Sequence, residues 1–122
     1  MRALHLSSVL AIISAFLAQA GDALSMEVSG PAVIVDGDTL WVGSQEVRIH
    51  GIDAPETSQK CQLPKGTWDC SGAAIAALAS MIEGKAVRCV GDEVDQYGRL
   101  IALCSTNAVP DIGAQLVASG LA

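Results

Sequence analysis

Three polar clusters hold the side chains of this chain that are equipped for chemistry. They are Asp36-Gly37-Asp38-Thr39, Arg48-Ile49-His50-Gly51-Ile52-Asp53-Ala54-Pro55-Glu56, and Asp95-Gln96-Tyr97-Gly98-Arg99. Each sits at the end of an apolar run, so one folded core can carry all three to a single surface. Carboxylates at short range suit a hard cation, which prefers oxygen ligands. Guanidiniums beside them suit a phosphate. A cation, two arginines and a spare glutamate are the equipment for hydrolysing a phosphodiester: positive charge for the transition state and a base for water.

Taken singly, each cluster also has an ordinary reading. Asp36-Gly37 between two strands is a common hairpin turn. Asp38 adds to it, because residues two apart on an extended chain project to the same side. Asp53-Ala54-Pro55-Glu56 is a turn former in its own right, and Arg48 could pair with any surface acid. Asp95 to Arg99 reads equally as a solvated hairpin loop with Gly98 at a positive-φ position. The phosphodiester reading rests on all three occurring in order, each at a strand end. His50 reads as a structural or surface residue, and Trp41 and Trp68 as packing residues. With aromatics at 3% of the chain, no base-stacking platform is visible.

The elements that must position these clusters follow from the apolar patterning. Ala32–Val35, Thr39–Val42 and Glu46–Ile52 read as strands, the last stopped by Pro55. Ser58 to Trp68 reads as a long loop. Ser71 caps a helix over Gly72–Glu83 that stops at Gly84, with Ile75, Leu78, Ala79 and Ile82 as its apolar stripe. Ala86–Val90 and Arg99–Cys104 are further strands, with Gly91–Gly98 a polar loop between them. Asp111 caps a short helix over Ile112–Ser119, ended by Gly120. Five short strands with one inserted helix predict an α+β fold, mainly β: a five-stranded OB-type β-barrel with two helices.

Residues 1–20 read as a secretory signal, with Arg2, an apolar run from Leu4 to Leu17 and a cleavage site at Ala18-Gln19-Ala20. Residues 21–30 read as a short linker and 31–122 as the domain. Cleavage leaves about 100 residues, few enough to need bracing. Cys61, Cys70, Cys89 and Cys104 all lie beyond the signal, and an even count in an exported chain points to two disulfides and a secreted or periplasmic location. Three pairings are open; Cys61–Cys70 closing a loop and Cys89–Cys104 joining two strands is the favoured one. No short Cys-x-x-Cys spacing supports zinc. The chain has seven basic and thirteen acidic residues, and the signal removes one of the basic ones. That excess of acid argues against a broad electrostatic grip on a polyanion, so any attraction for nucleic acid must be local. No later stretch is apolar enough to span a bilayer, so no membrane association is expected after cleavage; a monomer is expected.

From about Val33 to Ala122 the chain resembles the thermonuclease, or micrococcal (staphylococcal-type) nuclease-like, family. The resemblance rests on Val35-Asp36-Gly37-Asp38-Thr39, on Arg48 to Glu56, on Asp95-x-Tyr97-Gly98-Arg99 and on Leu116-Val117-Ala118-Ser119-Gly120-Leu121-Ala122. It implies a five-stranded OB barrel and a calcium-dependent nuclease that cuts DNA and RNA with little sequence preference. Calcium would lie on Asp38, Asp53 and the backbone carbonyl of Ala54, with Asp36 holding a metal-bound water. Glu56 would orient or deprotonate the attacking water. Arg48 and Arg99 would bind the scissile phosphate, and Tyr97 a neighbouring one. Two departures stand out. Gln96 replaces a common lysine, and the chain ends where family members usually continue into a further helical segment. The latter gives a rival expectation: a non-catalytic OB-fold module, marginally stable or self-associating.

Overall fold

The structure, a computed structural model, describes residues 25–122; the secretory signal expected over residues 1–20 lies outside them. Eight strands and two helices follow in chain order: β1 (Met26–Gly30), β2 (Ala32–Asp36), β3 (Thr39–Val42), β4 (Gln45–Ile49), β5 (Cys61–Leu63), β6 (Gly66–Trp68), α1 (Cys70–Ile82), β7 (Val87–Val94), β8 (Leu100–Ser105) and α2 (Ile112–Ala118). Six strands form one sheet in the order β1-β7-β8-β4-β3-β2, antiparallel except where β4 runs parallel to β8. Its two edge strands, β1 and β2, are joined through the single residue Pro31. The sheet therefore curls until its edges meet there. Counted as one bent strand, β1 and β2 make this the five-stranded OB-like barrel expected, with two helices against it.

The alternating strands bury one face. Leu40 and Val42 from β3, Val47 and Ile49 from β4, Val87 and Cys89 from β7, and Leu100, Ala102 and Cys104 from β8 all point inward. Leu78, Met81 and Ile82 from α1 and Ile112 and Leu116 from α2 complete this core. The buried face of α1 is Ala74, Leu78, Met81 and Ile82; it keeps Leu78 and Ile82 of the stripe expected and leaves Ile75 and Ala79 only half-buried. Asp69, not Ser71, is its cap: the Asp69 carboxylate accepts from the N–H of Gly72 at 3.0 Å and from the Ser71 hydroxyl at 3.1 Å. Both expected disulfides are present, Cys61–Cys70 and Cys89–Cys104, and they leave no free cysteine among the described residues. No helix among those residues is long and apolar enough to cross a membrane.

Three further local expectations are replaced. Met26–Gly30, read as linker, pairs with β7 as an edge strand. The polar stretch after Val90 continues β7 to Val94, across a register shift between Val90 and Glu93. The long loop before α1 contains a separate hairpin, β5–β6.

Candidate phosphodiester site

The turn between β2 and β3 carries Gly37 and Asp38. A Cβ at Gly37 would sit 2.8 Å from the Cβ of both Ala54 and Ala74, so only glycine lets the turn, the segment after β4 and helix α1 meet so closely. That packing delivers Asp38, which is buried although it is charged. A buried carboxylate needs partners. Its Oδ1 accepts from the Thr39 hydroxyl at 2.8 Å and its Oδ2 from the Ala54 N–H at 3.0 Å. The Asp38 carbonyl accepts from the Ile49 N–H at 2.8 Å. Asp38 thus ties the turn to β4 and to the chain leaving it.

Arg48 lies opposite Thr39 in the β3–β4 ladder. Its Nη2 stands 3.7 Å from Asp38 Oδ2 and 3.5 Å from Asp53 Oδ1. Two carboxylates from different clusters therefore lean on one guanidinium nitrogen. Asp53 itself is largely open to solvent, with its side chain 84% exposed.

Glu56 is exposed, and its backbone is held in a tight turn. Its N–H donates to Gln59 Oε1 at 2.9 Å, and its carbonyl accepts from the Gln59 N–H at 2.8 Å. The Thr57 hydroxyl donates to Asp36 Oδ1, which fastens this turn to the end of β2. Ser58 adopts φ 71°, a left-handed conformation that costs a non-glycine residue energy. The strain is held in place by the bonds on either side of it.

The third cluster is a self-bonded loop between β7 and β8. Asp95 Oδ1 accepts from the N–H of Tyr97 and of Arg99, each at 2.9 Å, and Oδ2 accepts from Arg99 Nε at 2.7 Å. Gly98 takes φ 81°, as the turn requires, and its carbonyl accepts from Gln45 Nε2 at 3.0 Å. The Arg99 guanidinium lies over the Tyr97 ring, 5.3 Å from its centroid. The hydrogen bond to Asp95 pushes the Arg99 pKa above its ordinary value against the opposing effect of burial, and the charges of Asp95, Glu46 and Asp38 add to the rise.

The first two clusters meet at the end of β4, and the third is tied to the start of that strand through Gln45. Asp38 and Asp53 each reach Arg48, and Asp36 is tied to the Glu56 turn. Tyr97 projects outward, 73% exposed. A cleft of about 280 Å³ opens beside them, lined by Asp53, Ala54, Pro55, Gln59 and Gly120–Ala122. Among the described residues no three or more Asp, Glu, His or Cys side chains cluster as a ready metal site. The carboxylates of Asp38 and Asp53, which both lean on Arg48, offer oxygen, the ligand chemistry of a hard cation. Gln45, Thr57, Gln59 and the bonding role of Asp95 escape a reading of the sequence. Thr57 and Gln59 follow Glu56 closely, but their partners lie across the fold or depend on a turn with unusual φ.

Residues 46–122 match the family model for staphylococcal nuclease homologues. The succinoglycan biosynthesis protein ExoI of Rhizobium meliloti (strain 1021) is 28% identical over 112 residues, covering 90% of this chain and 59% of that protein. The chain thus spans somewhat over half the length of this relative.

Proposed function

This chain belongs to the staphylococcal nuclease homologue family, and from that membership we propose that it is an exported, calcium-dependent nuclease that hydrolyses phosphodiester bonds of DNA and RNA as a monomer. The observation that carries the reading is the sharing of Arg48 Nη2 by Asp38 and Asp53, with Asp38 also among the charges that raise the Arg99 pKa. Oxygen donors and guanidiniums at one point suit a cation and a phosphate together.

In this reading Asp38, Asp53 and the Ala54 carbonyl would hold calcium, and Asp36 would orient a water molecule beside them. Calcium, when bound, adds positive charge beside the phosphate oxygens. Arg48 and Arg99 donate hydrogen bonds to the phosphate as negative charge grows on it in the transition state. Glu56, exposed and with its backbone fixed, accepts the proton of the attacking water. The Tyr97 hydroxyl donates to the adjacent phosphate. Contacts of this kind read the backbone and not the bases, so little sequence preference follows. Cleavage of a signal over residues 1–20 and the two disulfides fit a secreted or periplasmic protein.

The acid excess favours a second reading, a barrel of the same family that binds without cutting. The test is a nuclease assay on purified protein with calcium and then with chelator, beside Glu56→Gln. Calcium-dependent cutting that falls at least ~10²-fold in the variant supports the enzyme. Cutting that ignores both chelator and substitution would assign it to a contaminant or another site. Binding without cutting leaves the module.

A further inference from the structure

The β5–β6 hairpin stands apart from the barrel. Its strands pair only with each other, and every residue from Gln62 to Asp69 is exposed. Directly opposed residues share a face, and faces alternate along a strand. Cys61 lies opposite Trp68 and Leu63 opposite Gly66, so Trp68 and Leu63 occupy one face. Their exposures are 38% and 50%, although the sequence marks Trp68 as a packing residue. A two-stranded hairpin this short does not hold itself in water. This one is pinned by the Cys61–Cys70 disulfide, and by Asp69, which follows β6 and caps α1. The result is a fixed arm presenting a partly exposed indole.

The arm is basic in an acidic chain. Lys60 at its stem lies 4.0 Å from Asp69. Lys65, in the turn, is in no ion pair among the described residues. The arm also adjoins the candidate site. Its stem begins one residue after Gln59, whose side chain holds the Glu56 N–H, and Cys70 Sγ lies 3.7 Å from the Gln59 carbonyl.

We propose that this hairpin docks single-stranded nucleic acid, a base stacking on Trp68 beside Leu63 while Lys65 meets the phosphate backbone. Every base has a flat apolar face, so such stacking tolerates any sequence. A duplex hides those faces within its own stack, so the arm selects single strands or frayed ends. The proposal deepens the nucleolytic reading and rests on it for the identity of the ligand. It supplies what the acid excess denies to the rest of the surface: a local grip of one aromatic plane and one cation.

The test uses the full chain carrying Glu56→Gln, with calcium, so that substrate persists, and a labelled single-stranded oligonucleotide read by fluorescence anisotropy. Adding Trp68→Ala should raise Kd for the single strand at least about fivefold and leave duplex affinity unchanged. Lys65→Ala should flatten the salt dependence of log K by about 0.7. In a Trp41→Phe background, which leaves one of the two tryptophans, the strand should quench Trp68 fluorescence. Trp68→Leu, which keeps apolar bulk without a flat face, replaces the alanine variant should that one fail to fold. Equal single-strand Kd with and without Trp68 overturns the proposal. So does a dimer that Trp68→Ala dissolves, since a second copy would then be what covers the arm. Strand binding through Trp68 in a wild type that never cuts would sink the nucleolytic reading and leave the arm standing; cutting without a Trp68 contribution does the reverse.

Discussion

Arg99 donates its Nε to Asp95 Oδ2 at 2.7 Å, while the other oxygen of Asp95 accepts two backbone N–H groups of the same loop. One carboxylate thus shapes the loop and aims the guanidinium that the loop carries. The bond engages Nε and leaves the Nη groups of Arg99 without a partner among the described residues. An arginine held this way presents its outer edge ready for a phosphate, with less freedom to lose on binding.

Asp95→Asn should therefore impair turnover more than binding. The amide has one acceptor oxygen where the carboxylate has two, so either the loop or Arg99 loses its partner. A misplacement of about 1 Å at a reacting centre costs up to ~10²-fold. We expect kcat to fall on that scale with KM changed far less and melting temperature only slightly. Steady-state kinetics beside thermal melts check this, and a wild-type kcat would show that Arg99 is oriented without Asp95.

The same carboxylate predicts an acid limb of stability. Burial works to raise the Asp95 pKa, but hydrogen bonds from the Arg99 backbone, the Arg99 side chain and the Tyr97 backbone, with the charge of Arg99, bring it below the ordinary value. Asp69 is also lowered, first by the Gly72 N–H and then by the Ser71 hydroxyl, against the effect of burial, with the charge of Lys60 a lesser aid. A carboxyl whose folded pKa is depressed stabilises fully above its unfolded value of about 3.9 and loses that contribution as pH falls through the folded value. Melting temperature should be flat with respect to these groups above about pH 5 and fall on acidification below pH 4. Asp95→Asn should flatten part of that fall and Asp69→Asn another part. An unchanged acid slope in both variants would place the acid sensitivity elsewhere.

Asp38 was legible in the sequence as a chemical group, but its structural weight was not. The clusters announced themselves because acids, arginines and turn residues interrupt apolar runs at strand ends. What lay hidden depended on contacts remote in sequence. Met26–Gly30 has only one β-branched residue and becomes a strand because Val87–Gly91 of β7 is there to pair with it. The β5–β6 hairpin escaped because its strands are only three residues each and Pro64, Lys65 and Gly66 between Leu63 and Thr67 read as loop; the disulfide and the Asp69 cap hold it. Gly91-Asp92-Glu93 looked like loop, and a register shift lets β7 run through it. Gln59 and Thr57 carry no local signal at all, since their partners are set by the strained turn at Ser58 and by the end of β2.

Asp38→Ala should accordingly cost stability as well as any cation. It strips the buried Ala54 N–H of its acceptor, a loss of about 1–3 kcal/mol. It also removes one of the two carboxylates that Arg48 faces. Calcium should raise the wild-type melting temperature by linkage and leave the variant unmoved. Asp53→Ala, at an exposed position, should abolish the calcium effect with a much smaller change in calcium-free melting. Equal calcium shifts in wild type and both variants would remove these two residues from the cation site.

Gly37→Ala tests the packing that delivers Asp38. The added methyl would meet the Cβ atoms of Ala54 and Ala74 at 2.8 Å, and neither has a flexible end to swing aside. Overpacking of this kind costs about 1–3 kcal/mol. The turn would move away from α1 and Ala54, taking Asp38 from its bond to the Ala54 N–H. Loss of activity should therefore exceed what the fraction unfolded explains. A denaturant titration gives the stability, and activity measured well below the transition isolates the site. An alanine variant as stable and active as wild type would mean that the approach is looser than described.

The two disulfides should differ in their response to reductant. Cys89 and Cys104 are 0% and 1% exposed, facing each other across the β7–β8 ladder inside the core. Cys61 sits at the base of the exposed hairpin and is only half-buried. Thiol–disulfide exchange requires access of a thiolate to a sulfur, so mild reductant should open Cys61–Cys70 first. Closing a loop of this size is worth about 3 kcal/mol in the chain-entropy model, and the opened hairpin loses the pin that its short strands need. Because Cys70 Sγ touches the Gln59 carbonyl and Gln59 holds the Glu56 N–H, the Glu56 turn should loosen with it. Nuclease activity is therefore expected to fall while the barrel still melts cooperatively. Mass mapping after stepwise reduction and alkylation, with activity followed on the same samples, checks the order. Labelling of Cys89 and Cys104 ahead of Cys61 and Cys70, or full activity after the hairpin bridge has opened, would contradict it.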